Sequence, residues 1–90
     1  MEFIHDKQEK RGRFHSADGK AEIVYSWFRE DAIIIEHTEV DQSLEGQGVG
    51  KKLVNAVAGF ARETGIKIRP SCVFAKAVME RGESYKDVLY

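Results

Sequence analysis

The segment EGQGVGKKLV, residues 45–54, places three of the chain's eight glycines within five positions. It lies between two regular patterns. AIIIEHTEV, residues 32–40, is typical of a strand that is buried on both faces at its start and more polar later. After the glycines, apolar and small residues recur at helical spacing: Gly50, Leu53, Val54, Val57, Phe60 and Ala61. We therefore predict a tight loop that opens a helix, with Gly65 after the last turn.

The residues after this helix predict a second strand and a second helix. IKIRP, residues 66–70, is a short strand ended by the only proline. Ser71 is predicted to cap a helix through CVFAKAVMER that ends at Gly82, and SYKDVLY to pack as a final turn. Residues 33–69 thus have the order of a β–α–β crossover, whose strands should be parallel neighbours.

The N-terminal half has hairpin patterns. GRFHS and KAEIVYSWF flank ADG, and the Asp18-Gly19 pair predicts a tight turn between two strands. REDA is the next turn, and it leads into the buried strand. The predicted class is α+β, or mixed α/β: one domain, residues 1–90, with an antiparallel meander followed by strand–helix–strand–helix.

Composition excludes several classes of protein. An apolar fraction of 42% and a charged fraction of 32% are those of a globular chain. A net charge of -1 provides no general attraction to nucleic acid or membrane. The longest apolar run, residues 32–35, is far too short for a membrane span, and the N-terminus has no apolar signal region. Cys72 is the only cysteine, which favours a reducing compartment. We expect a cytoplasmic monomer that binds neither nucleic acid nor membrane.

The glycine loop fits one ligand type better than two others. A phosphate-binding Walker loop fails because Glu45 and Lys52 occupy positions that need glycine and Ser or Thr. A dinucleotide fingerprint fails on spacing and on the missing acid after IKIRP. A pyrophosphate at the helix N-terminus remains, because unpaired N–H groups after Gly48 and Gly50 favour an anion and Lys51 and Lys52 add charge. The alternative is that the glycines serve only a tight turn and close helix packing.

Residues 45–70, EGQGVGKKLVNAVAGFARETGIKIRP, resemble motif A of the GNAT-type N-acetyltransferases, which has the form Q/R-x-x-G-x-G/A. HTEV and PSCVFAK resemble more narrowly a short single-domain, YjdJ-like branch. The resemblance implies acetyl-CoA as cofactor, with its pantetheine arm and acetyl carbonyl near the backbone of Glu39 and Val40, where the strands splay apart. It implies that the pyrophosphate is held by the motif residues and the lysine beside them: Gln47, Gly48, Val49, Gly50, Lys51 and Lys52.

Two departures from the family pattern affect the expected site. Glu45 stands where the motif usually has Gln or Arg, so we expect its carboxylate to point away from the phosphates. The paired helices that follow the first strand in full-length members have no counterpart here. We therefore expect an open acceptor side, and the acceptor amine, small molecule or protein, is left unidentified.

Three residues are candidates for the chemistry. Cys72 follows a strand end and begins a predicted helix, a position that lowers a thiol pKa, and in the resembled branch it is the candidate active cysteine. The alternative is a buried cysteine that acts as a small hydrophobe. His37 and Glu39 share a strand face by alternation, and we predict that they orient or deprotonate a thiol or an amine. His5 and His15 are expected on the surface, and no metal site is predicted.

The sequence thus predicts a small acetyl-CoA-dependent N-acetyltransferase. The first alternative is a non-catalytic acyl-CoA binding or sensing module, with the same loop and no productive acceptor site. The second is an interaction domain whose glycines are purely structural.

Overall fold

A computed structural model describes residues 2–90 and has five strands in one sheet, in the order β1-β2-β3-β4-β5. The strands are β1 Ile4–Lys7, β2 Arg11–His15, β3 Ala21–Arg29, β4 Ala32–Val40 and β5 Lys67–Pro70. β1 to β4 pair antiparallel with their neighbours, and β5 pairs parallel with β4. The predicted meander, the parallel strand pair and the α+β class are confirmed.

The two helices pack on one face of the sheet. α1, Val49–Thr64, contacts β2 to β5, and α2, Val73–Arg81, contacts α1 as well as β4 and β5. Gly65 ends α1 with φ 72° and donates its N–H to the Ala61 carbonyl, as predicted for a C-terminal glycine. The buried face of α1 consists of Val49, Leu53, Val54, Val57, Ala58 and Ala61. It packs against buried β3 and β4 residues, which include Ile23, Tyr25, Ile33 and Ile35.

β4 carries an extra residue that decides which side chains reach the helices. Val24 of β3 lies opposite His37, whereas the next residue, Tyr25, lies opposite Ile35, so Glu36 has no partner of its own. Such a bulge reverses the alternation of faces along the strand. Ile35 is buried under the helices, and beyond the bulge it is Thr38, rather than His37, that continues this face.

The N-terminal strand was not predicted. Its burial pattern is mostly exposed, and its sequence, IHDK, has little strand propensity. The expectation that His5 lies on the surface is wrong. Its ring stacks on Phe14 with 3.9 Å between the ring centroids, and its Nε2 lies 2.7 Å from the Tyr25 hydroxyl. Burial, with Lys7 nearby, lowers the pKa of His5. His15 is also half-buried and bonds Asp6 through Nε2 at 2.7 Å.

The C-terminal segment is part of the core rather than only a final turn. After α2, a short 3-10 helix, Glu83–Tyr85, leads to a bridge between Leu89 and Ile68 of β5. Tyr85 and Val88 are buried. Arg62 of α1 bonds the carboxylate of Asp87, with its Nε 2.8 Å from Oδ2. The segment therefore shields the outer edge of β5.

Within residues 2–90, neither helix combines the length and the apolar character that crossing a membrane would require.

Candidate active site

A cleft of about 480 Å³ opens where the end of β4, the glycine loop and the starts of both helices meet. Its volume is within the range of small-molecule and cofactor sites. The wall from β4 and the following loop is formed by Thr38, Val40, Leu44, Glu45 and Gly46. The helical wall is formed by Gly48, Val49, Gly50, Lys51, Phe74 and Val78.

The N-terminus of α1 is open toward a ligand. Gly48 precedes the helix in the left-handed conformation, with φ 71° and ψ 21°, and provides no side-chain cap. The first intrahelical bond joins the Lys52 N–H to the Gly48 carbonyl at 3.1 Å. The N–H groups of Val49, Gly50 and Lys51 therefore have no acceptor inside the helix. Three converging donors with the positive end of the helix dipole suit an anionic group.

The three clustered glycines have different structural roles. Gly46, with φ 81°, and Gly48 adopt a conformation that side chains rarely tolerate. Gly50 is helical, and a Cβ atom there would lie 2.6 Å from Cζ of Phe74. Its missing side chain therefore lets the Phe74 ring of α2 lie directly on α1. The cluster builds both the open helix end and the contact that closes one side of the cleft.

Most of the residues assigned to the cofactor line this cleft. Val40, Gly48, Val49, Gly50 and Lys51 are on its wall, whereas Gln47 and Lys52 are exposed beside it. Glu45 also lines the cleft, and the expectation that its carboxylate points away from the phosphates stays a prediction. Its carboxylate adds negative charge at the entrance of a site whose helix end favours anions.

β4 and β5 separate at the inner end of the cleft. Their pairing ends at Ile35 and Pro70, and the N–H groups of Ser71 and Cys72 both donate to the Ile35 carbonyl, at 3.0 and 3.1 Å. Beyond that point, β4 is paired only with β3. The expected splay of the two strands is thus present, and Cys72 lies beside its origin.

Cys72, rather than the predicted Ser71, occupies the N-cap position of α2. The first turn of α2 leaves N–H groups free, and the neutral thiol makes no hydrogen bond to them. Partial burial raises the pKa of the Cys72 thiol, but donors to the thiolate outweigh this effect: the Ala75 N–H, the Thr38 hydroxyl and the Phe74 N–H. The pKa therefore lies below the ordinary value of a cysteine. Sγ lies 3.5 Å from Oγ1 of Thr38, which also lines the cleft.

The structure does not bring His37 to Cys72. His37 and Glu39 do share a face, with Nε2 3.0 Å from Oε2, but this is the open face of the sheet, opposite the helices. The bulge at Glu36 is the reason, because strict alternation from Ile35 would turn His37 toward the helices. Thr38 takes that place, and no sequence pattern pointed to it.

Glu22 of β3 completes a polar cluster on the open face. Its carboxylate and the ligand atoms of His37 and Glu39 all lie within 4.8 Å of one another. One imidazole and two carboxylates could accept a divalent cation or an ammonium group. The spacing of the histidines gave no sign of this cluster, because Glu22 joins it only through strand pairing.

Comparison with known proteins agrees with this architecture. The solution structure of a GCN5-like protein from Staphylococcus aureus superposes on this chain with a TM-score of 0.75. The match covers 97% of this chain and 87% of that chain, and the two sequences are 40% identical. An IAA acetyltransferase from Bacillus cereus shares the fold, with a TM-score of 0.63, 20% sequence identity, and coverage of 80% of this chain and 53% of that chain. An aminoglycoside acetyltransferase from an uncultured soil metagenomic sample also shares the fold, with a TM-score of 0.62 and 20% sequence identity. That match covers 89% of this chain and 59% of that chain. The fold is therefore that of the acetyltransferases.

The family itself follows from the sequence match. The model of the GCN5-related N-acetyl-transferases matches residues 13–88, and the chain belongs to this family. Protein NATD1 of Mus musculus and of Danio rerio are each 27% identical over 70 residues, 76% of this chain. The chain spans 64% of the length of these relatives. The narrower assignment to a YjdJ-like branch stays a prediction.

Proposed function

We propose that the protein is an N-acetyltransferase that moves the acetyl group of acetyl-CoA to an amine. The supporting observation is the arrangement of three features around one cleft. The open N-terminus of α1 is at one end, the separated strands are at the other, and Cys72 lies beside the gap with a lowered pKa. Family membership agrees with this reading.

The residues present fit the cofactor. The N–H groups of Val49, Gly50 and Lys51 are free to bind the pyrophosphate, and Lys51 and Lys52 add positive charge. The apolar wall formed by Val40, Leu44 and Val78 suits the pantetheine arm, with Gln47 at the outer rim. When bound, acetyl-CoA supplies an activated thioester, and the chain supplies orientation and proton transfer.

Transfer to an amine requires a neutral amine nitrogen and a proton for the departing thiolate. The new bond joins that nitrogen to the acetyl carbon, the carbon–sulfur bond breaks, and the amine loses one proton. In the direct route, the Cys72 thiol would donate its proton to the departing thiolate, and the proton that the amine loses would restore the Cys72 thiol. In the alternative route, the Cys72 sulfur would attack the acetyl carbon, and coenzyme A would leave as the thiol with the proton from Cys72. The amine would then attack the same carbon, break its bond to the Cys72 sulfur and give its proton back to that sulfur.

We assign the acceptor side to the open face of the sheet. His37 and Glu39 lie there, on the part of β4 that has no β5 neighbour. Because this face is not covered by either helix, an amine can approach the strand gap from it. In this proposal, His37 accepts the proton of the incoming ammonium, and Glu39 orients the imidazole.

A non-catalytic acyl-CoA sensor is the second candidate. Glu45 on the cleft wall favours it, because a carboxylate opposes a tightly held phosphate group. The separation of His37 from Cys72 also favours it, since the three assigned residues do not form a single contact network.

Turnover and binding, measured on the same variants, distinguish the two. We expect the protein to acetylate at least one member of a panel of amines, with release of CoA. Cys72→Ala should lower turnover on the order of 10²-fold while binding persists. Ser71→Ala, next to it and exposed, is the control and should change neither. Binding of acetyl-CoA without turnover on any amine would support the sensor instead, and absence of binding would remove both.

The location and the oligomeric state are proposals as well. A single free cysteine supports a reducing compartment, and we keep the cytoplasm as the proposed site of action. The monomer is proposed because the outer edge of β5 is shielded by the chain's own C-terminal segment.

A further inference from the structure

The polar cluster on the open face of the sheet combines an imidazole with two carboxylates. The ligand atoms of Glu22, His37 and Glu39 all lie within 4.8 Å of one another. Strand pairing places Glu22 of β3 directly opposite Glu39 of β4, and His37 lies on the same face two residues before Glu39. His37 reaches this face because the bulge at Glu36 reverses the alternation along β4.

The two carboxylates of the cluster are only partly neutralised by the protein. Like charges directly opposite each other destabilise a strand pair. Arg13 is shared between two acids: its Nη1 lies 3.1 Å from Oε1 of Glu22, and its Nε lies 3.4 Å from Oδ2 of Asp6. The bond from Arg13 orients the Glu22 carboxylate and leaves its second oxygen for another partner. A cation between β3 and β4 would therefore meet an anionic site with one carboxylate already oriented.

The donor set selects the kind of cation. An imidazole nitrogen with carboxylates suits Zn²⁺ and similar transition metals, whereas Mg²⁺ and Ca²⁺ prefer oxygen ligands alone. A tetrahedral Zn²⁺ with bonds of about 2.0–2.2 Å holds its ligands about 3.3–3.6 Å apart. His37 Nε2 and Glu39 Oε2 are 3.0 Å apart, and both side chains are exposed, so small rotations can bring the three ligands to this spacing.

We propose that Glu22, His37 and Glu39 bind a Zn²⁺ ion on the open face of the sheet. The sequence predicted no metal site, because strand register rather than residue spacing assembles this one. The inference does not rest on the proposed function, since binding requires neither acetyl-CoA nor an acceptor. The ion and the incoming ammonium would compete, because both use the His37 imidazole.

Titration of the reduced protein with Zn²⁺, followed by NMR of backbone amides and histidine side chains, tests the site without any cofactor. We expect Zn²⁺ to perturb the His37 imidazole and the amides of residues 22, 37 and 39, and to leave the imidazoles of His5 and His15 unchanged. Mg²⁺ at the same concentration should cause no such change. Glu22→Gln should weaken Zn²⁺ binding at least about tenfold, because even the loss of a residue that only supports a metal ligand costs that much.

Glu36→Gln is the matched control. It removes the same charge from β4, but Glu36 pairs with Arg11, at 3.8 Å, and lies outside the cluster. This variant should keep the wild-type affinity for Zn²⁺ to within about twofold. The site would be overturned if millimolar Zn²⁺ left His37 unchanged, if Mg²⁺ gave an equal response, or if both variants lost the same affinity. Changes centred on Cys72 or His15 instead of His37 would also overturn it.

Discussion

Replacing Gly48 tests the idea that backbone conformation, rather than packing, requires glycine at the start of α1. Its φ of 71° lies in the left-handed region, and a Cβ built there meets no atom within 4 Å. Gly48→Ala therefore adds strain without a clash. The left-handed conformation costs a non-glycine residue about 1–2 kcal/mol, so the unfolding free energy should fall by that amount. For a domain of this size, each kcal/mol shifts Tm by about 4–8 °C.

Two matched variants separate this cause from others. Gly48→Asn should lose less stability, because asparagine tolerates the left-handed region better than alanine. Gly59→Ala makes the same change inside α1, where the added Cβ also meets nothing, and should stabilise by about 0.5–1 kcal/mol. Urea unfolding followed by circular dichroism measures all three. The reasoning is refuted if Gly48→Ala is as stable as wild type, or if Gly59→Ala loses as much as Gly48→Ala.

Three further predictions concern other contacts. Gly50→Ala should change the unfolding free energy by less than about 1 kcal/mol, since helix propensity offsets the displaced Phe74 ring, yet it should weaken acetyl-CoA binding in calorimetry. In a Phe74→Ala background the same change should not weaken binding further, and a further loss would contradict the steric account. Thr38→Val should raise the pKa of Cys72 by removing a donor to the thiolate, which shifts the pH profile of iodoacetamide alkylation upward; an unchanged profile would exclude Thr38 as that donor. Because His5 has a lowered pKa in the folded protein, the unfolded chain binds more protons near pH 6, so stability should fall as pH falls below about 6.5. His5→Gln should flatten this part of the pH dependence of urea unfolding, and an unaltered slope would show that another group is responsible.

The order of elements from β2 to α2 was predictable because its signals are local. The Asp18-Gly19 turn, the helical spacing of α1 and the glycine at its end are each read from a few adjacent residues. β1 was missed because it is a mostly exposed edge strand. His5 is the one partly buried side chain of β1, and it contacts the Tyr25 hydroxyl on β3. The residues next to His5 in the sequence do not indicate this contact.

The sequence predicted the parts of the candidate site that depend on backbone conformation in the glycine loop. It did not predict the parts that depend on the pairing register of β4. The glycines fix the position of the α1 N-terminus, and most of the assigned residues line the cleft beside it. The relation of His37 to Cys72 depends on one unpaired residue, Glu36, which reverses the faces of β4. Alternation alone cannot show a bulge, so Thr38 was overlooked as the neighbour of Cys72.

The central claim is that the glycine loop and the end of β4 hold acetyl-CoA. An amide-resolved NMR titration with acetyl-CoA tests it most directly, followed by intact mass of the same sample. We predict shifts centred on residues 48–52, near Val40 and around Cys72, and an added acetyl group on Cys72 if the covalent route operates. If millimolar acetyl-CoA moves none of these amides, the glycines serve only the fold and the acetyltransferase account is wrong.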